Sequence, residues 1–159
     1  MKKFLILIIN VFLLLTLLSP LNGESMTISG GVSMTDIVPD GFFGNWKVLA
    51  YRVHTTNENM FAPYSVELWN ISKNNNVITL TNPISGASAS ITVQNATEKS
   101  FTFQRVTGDK NETVTETANL NLNGSNFTGI DTMVVKYYKN GLMIKSEKVE
   151  YKLKAYKIN

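Results

Sequence analysis

Residues 45–157 alternate between short runs of β-branched and aromatic side chains and clusters of turn-forming residues. The runs contain Val, Ile, Thr, Tyr and Phe, the clusters contain Asn, Gly, Pro and Ser, and no long helical period competes with this pattern. Within one run, Val114, Ala118 and Leu120 share a face, while threonines and asparagines occupy the other. A period of two with one polar face predicts antiparallel strands that cover a single core.

Eight such runs follow one another with short links. The predicted strands are 45–54, 65–71, 76–81, 88–94, 99–107, 112–122, 126–139 and 142–157. Eight consecutive strands predict an all-β fold, an eight-stranded antiparallel up-and-down barrel, because closure removes the unpaired edges. A β-sandwich built from the same strands is the alternative. A membrane barrel is disfavoured, because the outward positions are Thr, Ser, Asn, Lys and Glu.

Two of the links predict tight hairpin turns. Asn123-Gly124 and Asn140-Gly141 each stand between two predicted strands. A type I′ turn needs positive φ at both central positions, and Asn-Gly supplies this most readily.

The N-terminus has the pattern of a secretory signal peptide over residues 1–23. Lys2 and Lys3 precede an apolar run, 4–18, which Ser19-Pro20 ends. The run is shorter than the roughly 20 residues that a membrane span requires. We therefore expect a secreted or periplasmic protein, bacterial in character, with no membrane span after cleavage.

The remaining chain is expected to divide into a flexible lead-in arm, 24–41, and a single β-barrel domain, 42–159. The arm is small, polar and rich in Gly, whereas the strand pattern fills the domain. The chain has no cysteine, so an ordinary apolar core must stabilise an exported fold without disulfides.

The charge balance gives no support for a nucleic-acid partner. The whole chain has 15 basic and 12 acidic residues, and removal of Lys2 and Lys3 reduces its formal net charge to +1. A nucleic-acid-binding domain of this size usually carries a clear basic excess.

Residues with catalytic or metal-binding chemistry are scarce. His54 is the single histidine, no Gly-x-Ser-x-Gly motif occurs, and zinc or copper sites need several His or Cys ligands. We therefore predict a protein that is not an enzyme, with no catalytic residue, no metal site and no cofactor.

Arg105 and Glu116 fall on the apolar face of their predicted strands. The two strands form a hairpin, which makes these residues neighbours on the inner face. An internal ion pair that fixes the register is one interpretation, and a polar group that orients a ligand is the other. A catalytic role for Glu116 would need a second inward carboxylate, for which the alternation identifies only Glu147.

Gly44-Asn45-Trp46 opens the first predicted strand and resembles the Gly-x-Trp signature of the lipocalins and the wider calycin group. The resemblance implies that Gly44 lets the backbone enter the strand tightly and that Trp46 fills the closed end of the barrel. It also implies one small apolar ligand in the open end. The family pattern has an arginine near the last strand, packed over the tryptophan, whereas this strand carries lysines. A turn glycine beside a core aromatic residue is the alternative interpretation.

The predicted function is binding of a small, mostly apolar ligand inside the barrel. The predicted ligand-binding residues are Arg105, Glu116, Phe101, Phe103, Trp46 and Tyr151. Phe61-Ala62-Pro63-Tyr64 would either cover the barrel mouth or pack within its own loop. The alternative is a structural or interaction protein of the cell envelope, with a filled core, no ligand and a protein partner on its outer face.

Overall fold

A computed structural model of the chain describes residues 34–158. The predicted signal peptide, 1–23, and the first part of the predicted arm, 24–33, lie outside the described residues. Within residues 34–158 no helix is both long enough and apolar enough to cross a membrane.

The structure consists of eight antiparallel strands, as the alternation predicts. They are β1 (Gly44–Thr55), β2 (Tyr64–Asn74), β3 (Val77–Thr81), β4 (Ser88–Ala96), β5 (Ser100–Gly108), β6 (Glu112–Asn123), β7 (Asn126–Lys139) and β8 (Leu142–Ile158). Each strand pairs with its neighbours in chain order, and β1 pairs with β8 as well as with β2. The eight strands therefore form one up-and-down sheet that closes in a ring.

One of the two predicted hairpin turns is confirmed and the other is displaced. Asn140 and Gly141 both have positive φ, 51° and 78°, as a type I′ turn requires. In the β6–β7 hairpin, however, Asn123 pairs with Asn126, so the turn residues are Gly124 and Ser125. The Asn123-Gly124 prediction was wrong by one residue, because pairing extends one position further than the apolar alternation does.

Inward-facing side chains form two apolar clusters inside the ring. The first apolar cluster takes buried residues from all eight strands, among them Trp46, Trp69, Phe103, Leu120 and Leu153. The second apolar cluster is smaller. Its buried members are Phe61, Val135 and Val149, and Met60, Val114, Met133, Tyr137 and Tyr151 pack against them.

A short 3-10 helix, Asp40–Phe42, closes one end of the ring, which we call the helix end. Phe42 is fully buried there, with its ring 4.7 Å from that of Phe101 in an edge-to-face arrangement. The preceding Val38 is also buried in the first apolar cluster. Gly44 follows with a φ of +124°, a conformation that L side chains rarely adopt.

Candidate functional site

A group of polar side chains separates the two apolar clusters. Along β6, Glu116 lies between Ala118 of the first cluster and Val114 beside the second. Along β7, Asp131 occupies the corresponding position between Phe127 and Met133. The alternation of the strands thus brings charged groups to one level of the interior, with apolar packing on either side.

Arg105 and Glu116 form the ion pair that the alternation predicts. The two residues are directly opposite each other in the β5–β6 register. The Nε of Arg105 donates to Oε2 of Glu116, and both side chains are largely removed from solvent. Burial raises the pKa of Glu116, and the guanidinium of Arg105 opposes this only in part.

Asp131 is buried beside this pair, with 7 % of its surface exposed. Its Oδ1 accepts no hydrogen bond from the described part of the chain. Burial, together with the charge of Glu116, raises the pKa of Asp131 well above its ordinary value. A buried acceptor without a donor is costly, and native structures contain few of them.

Glu67 contributes a third carboxylate from β2. Its Oε2 accepts a hydrogen bond from Nε1 of Trp69 at 2.8 Å, and its Oε1 accepts one from Oγ of Ser65 at 3.2 Å. The charge of Glu67 acts on the pKa of Arg105 and that of Asp131, so these groups lie within electrostatic reach of one another. We call the four side chains Glu67, Arg105, Glu116 and Asp131 the internal charged cluster.

Two members of this cluster were missed by the sequence analysis. Glu147 was identified as the only second inward carboxylate, and this was wrong because Asp131 and Glu67 also face the interior. The signal was present: Asp131 shares the parity of Phe127 and Val135 on β7. The same test that found Glu116 would therefore have found Asp131.

The loop of residues 56–63 covers the other end of the ring, which we call the loop end. Phe61 is buried in the second apolar cluster. Arg52 donates from Nη1 to the carbonyl oxygen of Phe61 at 2.6 Å, and the Tyr151 hydroxyl donates to that of Ala62 at 3.0 Å. Phe61 therefore packs across the mouth of the ring and not only within its own loop.

Glu147 lies at the loop end and anchors the same loop. Its Oε2 accepts a hydrogen bond from Oγ1 of Thr56 at 2.6 Å, and its Oε1 accepts one from Nδ2 of Asn57 at 3.2 Å. Nζ of Lys145 is 2.8 Å from the same Oε1. The hydrogen bond from Lys145 and that from Thr56 lower the pKa of Glu147 to about 2.

We expect Glu147→Gln to be less stable than the wild type at neutral pH, with a difference that disappears on acidification. Because the folded pKa of about 2 is below the ordinary value of 4.5, the ionised group stabilises the fold above the ordinary value. This contribution is lost as the pH falls toward 2. Urea denaturation of both proteins over this range measures the difference.

The matched control for this prediction is Glu98→Gln, which changes an exposed carboxylate in the β4–β5 link. We expect it to leave the stability nearly unchanged. If the stability difference between Glu147→Gln and the wild type stayed constant down to a pH of about 2, the lowered pKa of Glu147 would be contradicted.

The predicted ligand-binding residues divide into two groups. Arg105, Glu116 and Tyr151 lie at or beside the internal charged cluster, and Tyr151 packs against both apolar clusters. Trp46, Phe101 and Phe103 belong to the first apolar cluster and are almost fully buried. Trp46, Phe101 and Phe103 therefore belong to the tightly packed part of the interior.

A cleft on the outer surface lies away from the internal charged cluster. This cleft of about 560 Å³ opens at the helix end, lined by Asp40, Phe43, Lys73 and neighbouring residues. It contains none of the predicted site residues, and Lys73 already pairs with Asp36 at 2.7 Å. No group of three or more His, Cys, Asp or Glu side chains within residues 34–158 is arranged to hold a metal ion.

Comparison with protein-family models, with curated proteins and with solved structures found no match to this chain.

Proposed function

We propose that the chain is an exported, calycin-like β-barrel that binds a small, mostly apolar molecule in its interior and does not catalyse a reaction. Export rests on the signal-peptide pattern of residues 1–23. One observation carries the binding function: Asp131, buried between two apolar clusters, has an oxygen with no donor among the described residues. An apolar molecule with one polar group matches such an interior.

The surroundings of Trp46 support the calycin-like part of the proposal. Nζ of Lys157 on β8 lies 5.3 Å from the centre of the Trp46 ring, and it donates to the carbonyl oxygen of Gly41 at 3.1 Å. The last strand departs from the lipocalin pattern by lacking an arginine, and we propose that Lys157 supplies the cation over the indole instead.

The 56–63 loop is the proposed entry route. Arg52 and Tyr151 donate hydrogen bonds to this loop, Glu147 accepts one from Thr56, and Phe61 is its one buried aromatic side chain. Opening it would expose the second apolar cluster and the internal charged cluster without disturbing the strands. The helix end, by contrast, is closed by Phe42 and Trp46, which are both fully buried.

Binding of diphenylhexatriene, whose fluorescence rises in an apolar site, tests this function. We expect the purified protein to bind the probe, and Met133→Trp to weaken binding by about tenfold or more, because the added ring occupies the interior. Thr132→Trp is the matched control, since the neighbouring residue faces outward. Native mass spectrometry of the exported protein would reveal a co-purifying molecule.

One observation favours the alternative of an interaction protein of the cell envelope. Tyr51 and Tyr64 lie on the outer face with their rings 5.1 Å apart, beside exposed Val53 and Val66. A contiguous apolar patch of this kind is typical of protein-binding surfaces. A protein that binds no probe and carries no small molecule would support this alternative and overturn the ligand-binding proposal.

A further inference from the structure

The internal charged cluster has more negative than positive groups. Three carboxylates, those of Glu67, Glu116 and Asp131, act electrostatically on one guanidinium, that of Arg105. The other arginine of the sequence, Arg52, donates hydrogen bonds to two carbonyl oxygens of the 56–63 loop. The interior at this level therefore favours a positive charge.

Two of the three carboxylates accept hydrogen bonds from neighbouring side chains, whereas Oδ1 of Asp131 accepts none from the described residues. Glu116 accepts a hydrogen bond from the guanidinium of Arg105, and Glu67 accepts one from the indole of Trp69. Only 7 % of the surface of Asp131 is exposed, yet its Oδ1 receives no donor from residues 34–158. This oxygen points into the interior from the inward face of β7, at the level that separates the two apolar clusters.

The chemistry of the cluster discriminates between classes of ligand head group. A carboxylate or phosphate would bring a further negative charge to a cluster whose one cation is Arg105, and in its ionised form a carboxylate has no donor for Asp131. A hydroxyl would supply a donor but no compensating charge. A metal ion is disfavoured because the carboxylates do not converge in a metal-binding arrangement. An ammonium group supplies both the N–H donors and the positive charge.

The apolar part of the ligand has a matching surface close to Asp131. Met133 follows two residues later on the same face of β7, and Val149 is opposite Met133 on β8. Both belong to or pack against the second apolar cluster, which Phe61 of the 56–63 loop covers. An alkyl chain attached to an ammonium at Asp131 would therefore extend toward the loop end.

We infer that the interior binds an amphiphilic amine, whose ammonium group donates a hydrogen bond to Oδ1 of Asp131 while its alkyl chain packs against the second apolar cluster. This inference rests on the ligand-binding function proposed above and specifies the chemical class of the ligand. Burial and the charge of Glu116 raise the pKa of Asp131, and a cation beside the carboxylate would oppose this shift by stabilising the ionised form.

Calorimetric titration with decylamine, decanol and decanoate tests the inference, because these probes share one alkyl chain and differ only in the head group. We expect decylamine to bind the wild-type protein at least about tenfold more tightly than either of the others. Asp131→Asn should reduce this preference to about threefold or less. Asp36→Asn makes the same chemical change on the outside of the ring and should leave the preference intact.

A further probe makes the test independent of any variant. Decyltrimethylammonium keeps the positive charge but has no N–H group, so we expect it to bind wild-type protein more weakly than decylamine. Equal binding of decylamine and decanol, or an amine preference that survives in Asp131→Asn, would overturn the inference and leave the ligand-binding function standing. If none of the probes binds, both the inference and the proposed function fail.

Discussion

Trp46→Ala is expected to lower the free energy of unfolding by about 3–5 kcal/mol. The indole is fully buried, and its ring centre is 4.7 Å from that of Phe127. Its Nε1 donates to the carbonyl oxygen of Phe42 at 2.8 Å. Truncation therefore leaves a cavity at the helix end and also removes the donor that connects the 3-10 helix to β1.

Guanidinium denaturation followed by circular dichroism measures this loss. Tyr51→Ala is the matched control, because Tyr51 is an aromatic residue of the same strand that lies on the outer face. We expect the control to cost about 1 kcal/mol or less. If both variants lost the same stability, Trp46 would not be the residue that closes the ring.

Trp46→Phe separates the two contributions of the indole. The phenyl ring retains most of the apolar volume but cannot donate to the Phe42 carbonyl oxygen. We expect a loss intermediate between those of the alanine variant and the wild type, with the hydrogen-bond part about 1 kcal/mol.

The strands were predictable because the apolar alternation is a local signal. In a strand with one solvent-exposed face, apolar residues recur every two positions. This repeat identified all eight strands to within three residues at their ends. The proximity of Arg105 to Glu116 followed from the same repeat, since the consecutive strands 99–107 and 112–122 form a hairpin.

The helix end could not be predicted in this way. Val38 and Phe42 precede the first strand and belong to no period, yet both are buried in the first apolar cluster. Their burial depends on where the chain enters the ring, which is a tertiary property. The position of Lys157 over Trp46 also depends on the β1–β8 pairing, which joins the two ends of the sheet.

The internal charged cluster illustrates a different limit. The parity of Asp131 and Glu67 was visible in the sequence, but parity alone does not show which strands lie close to one another. The β6–β7 pairing places Asp131 near Glu116, whereas only the closure of the ring brings Glu67 of β2 within electrostatic reach of both. Four residues that are distant in sequence thereby become one charged cluster.

Arg105→Met is the second variant for which we expect a large effect, a loss of about 3–5 kcal/mol. The substitution keeps much of the side-chain volume but removes the guanidinium that neutralises Glu116. Both Glu116 and Asp131 would then be buried without their principal cation, and the pKa of each is already raised by burial. Chemical denaturation at neutral pH measures the loss.

The double variant Arg105→Met/Glu116→Leu tests whether the loss comes from an uncompensated charge. Replacing both partners by apolar groups is often close to neutral, so the double variant should recover most of the stability that the single variant loses. Lys73→Met breaks an exposed pair with Asp36 and should cost about 1 kcal/mol or less. A double variant as unstable as Arg105→Met would contradict this explanation.

The pH dependence of the Arg105→Met loss provides an independent check of its cause. Without the guanidinium, the folded pKa of Glu116 rises further, so the variant favours protonated Glu116 more strongly than the wild type does. The destabilisation is then greatest above the folded pKa and decreases as the pH falls toward the ordinary value of 4.5. A loss independent of pH would instead indicate that Arg105 stabilises the interior by packing, in which case the ion pair would not be the source of the effect.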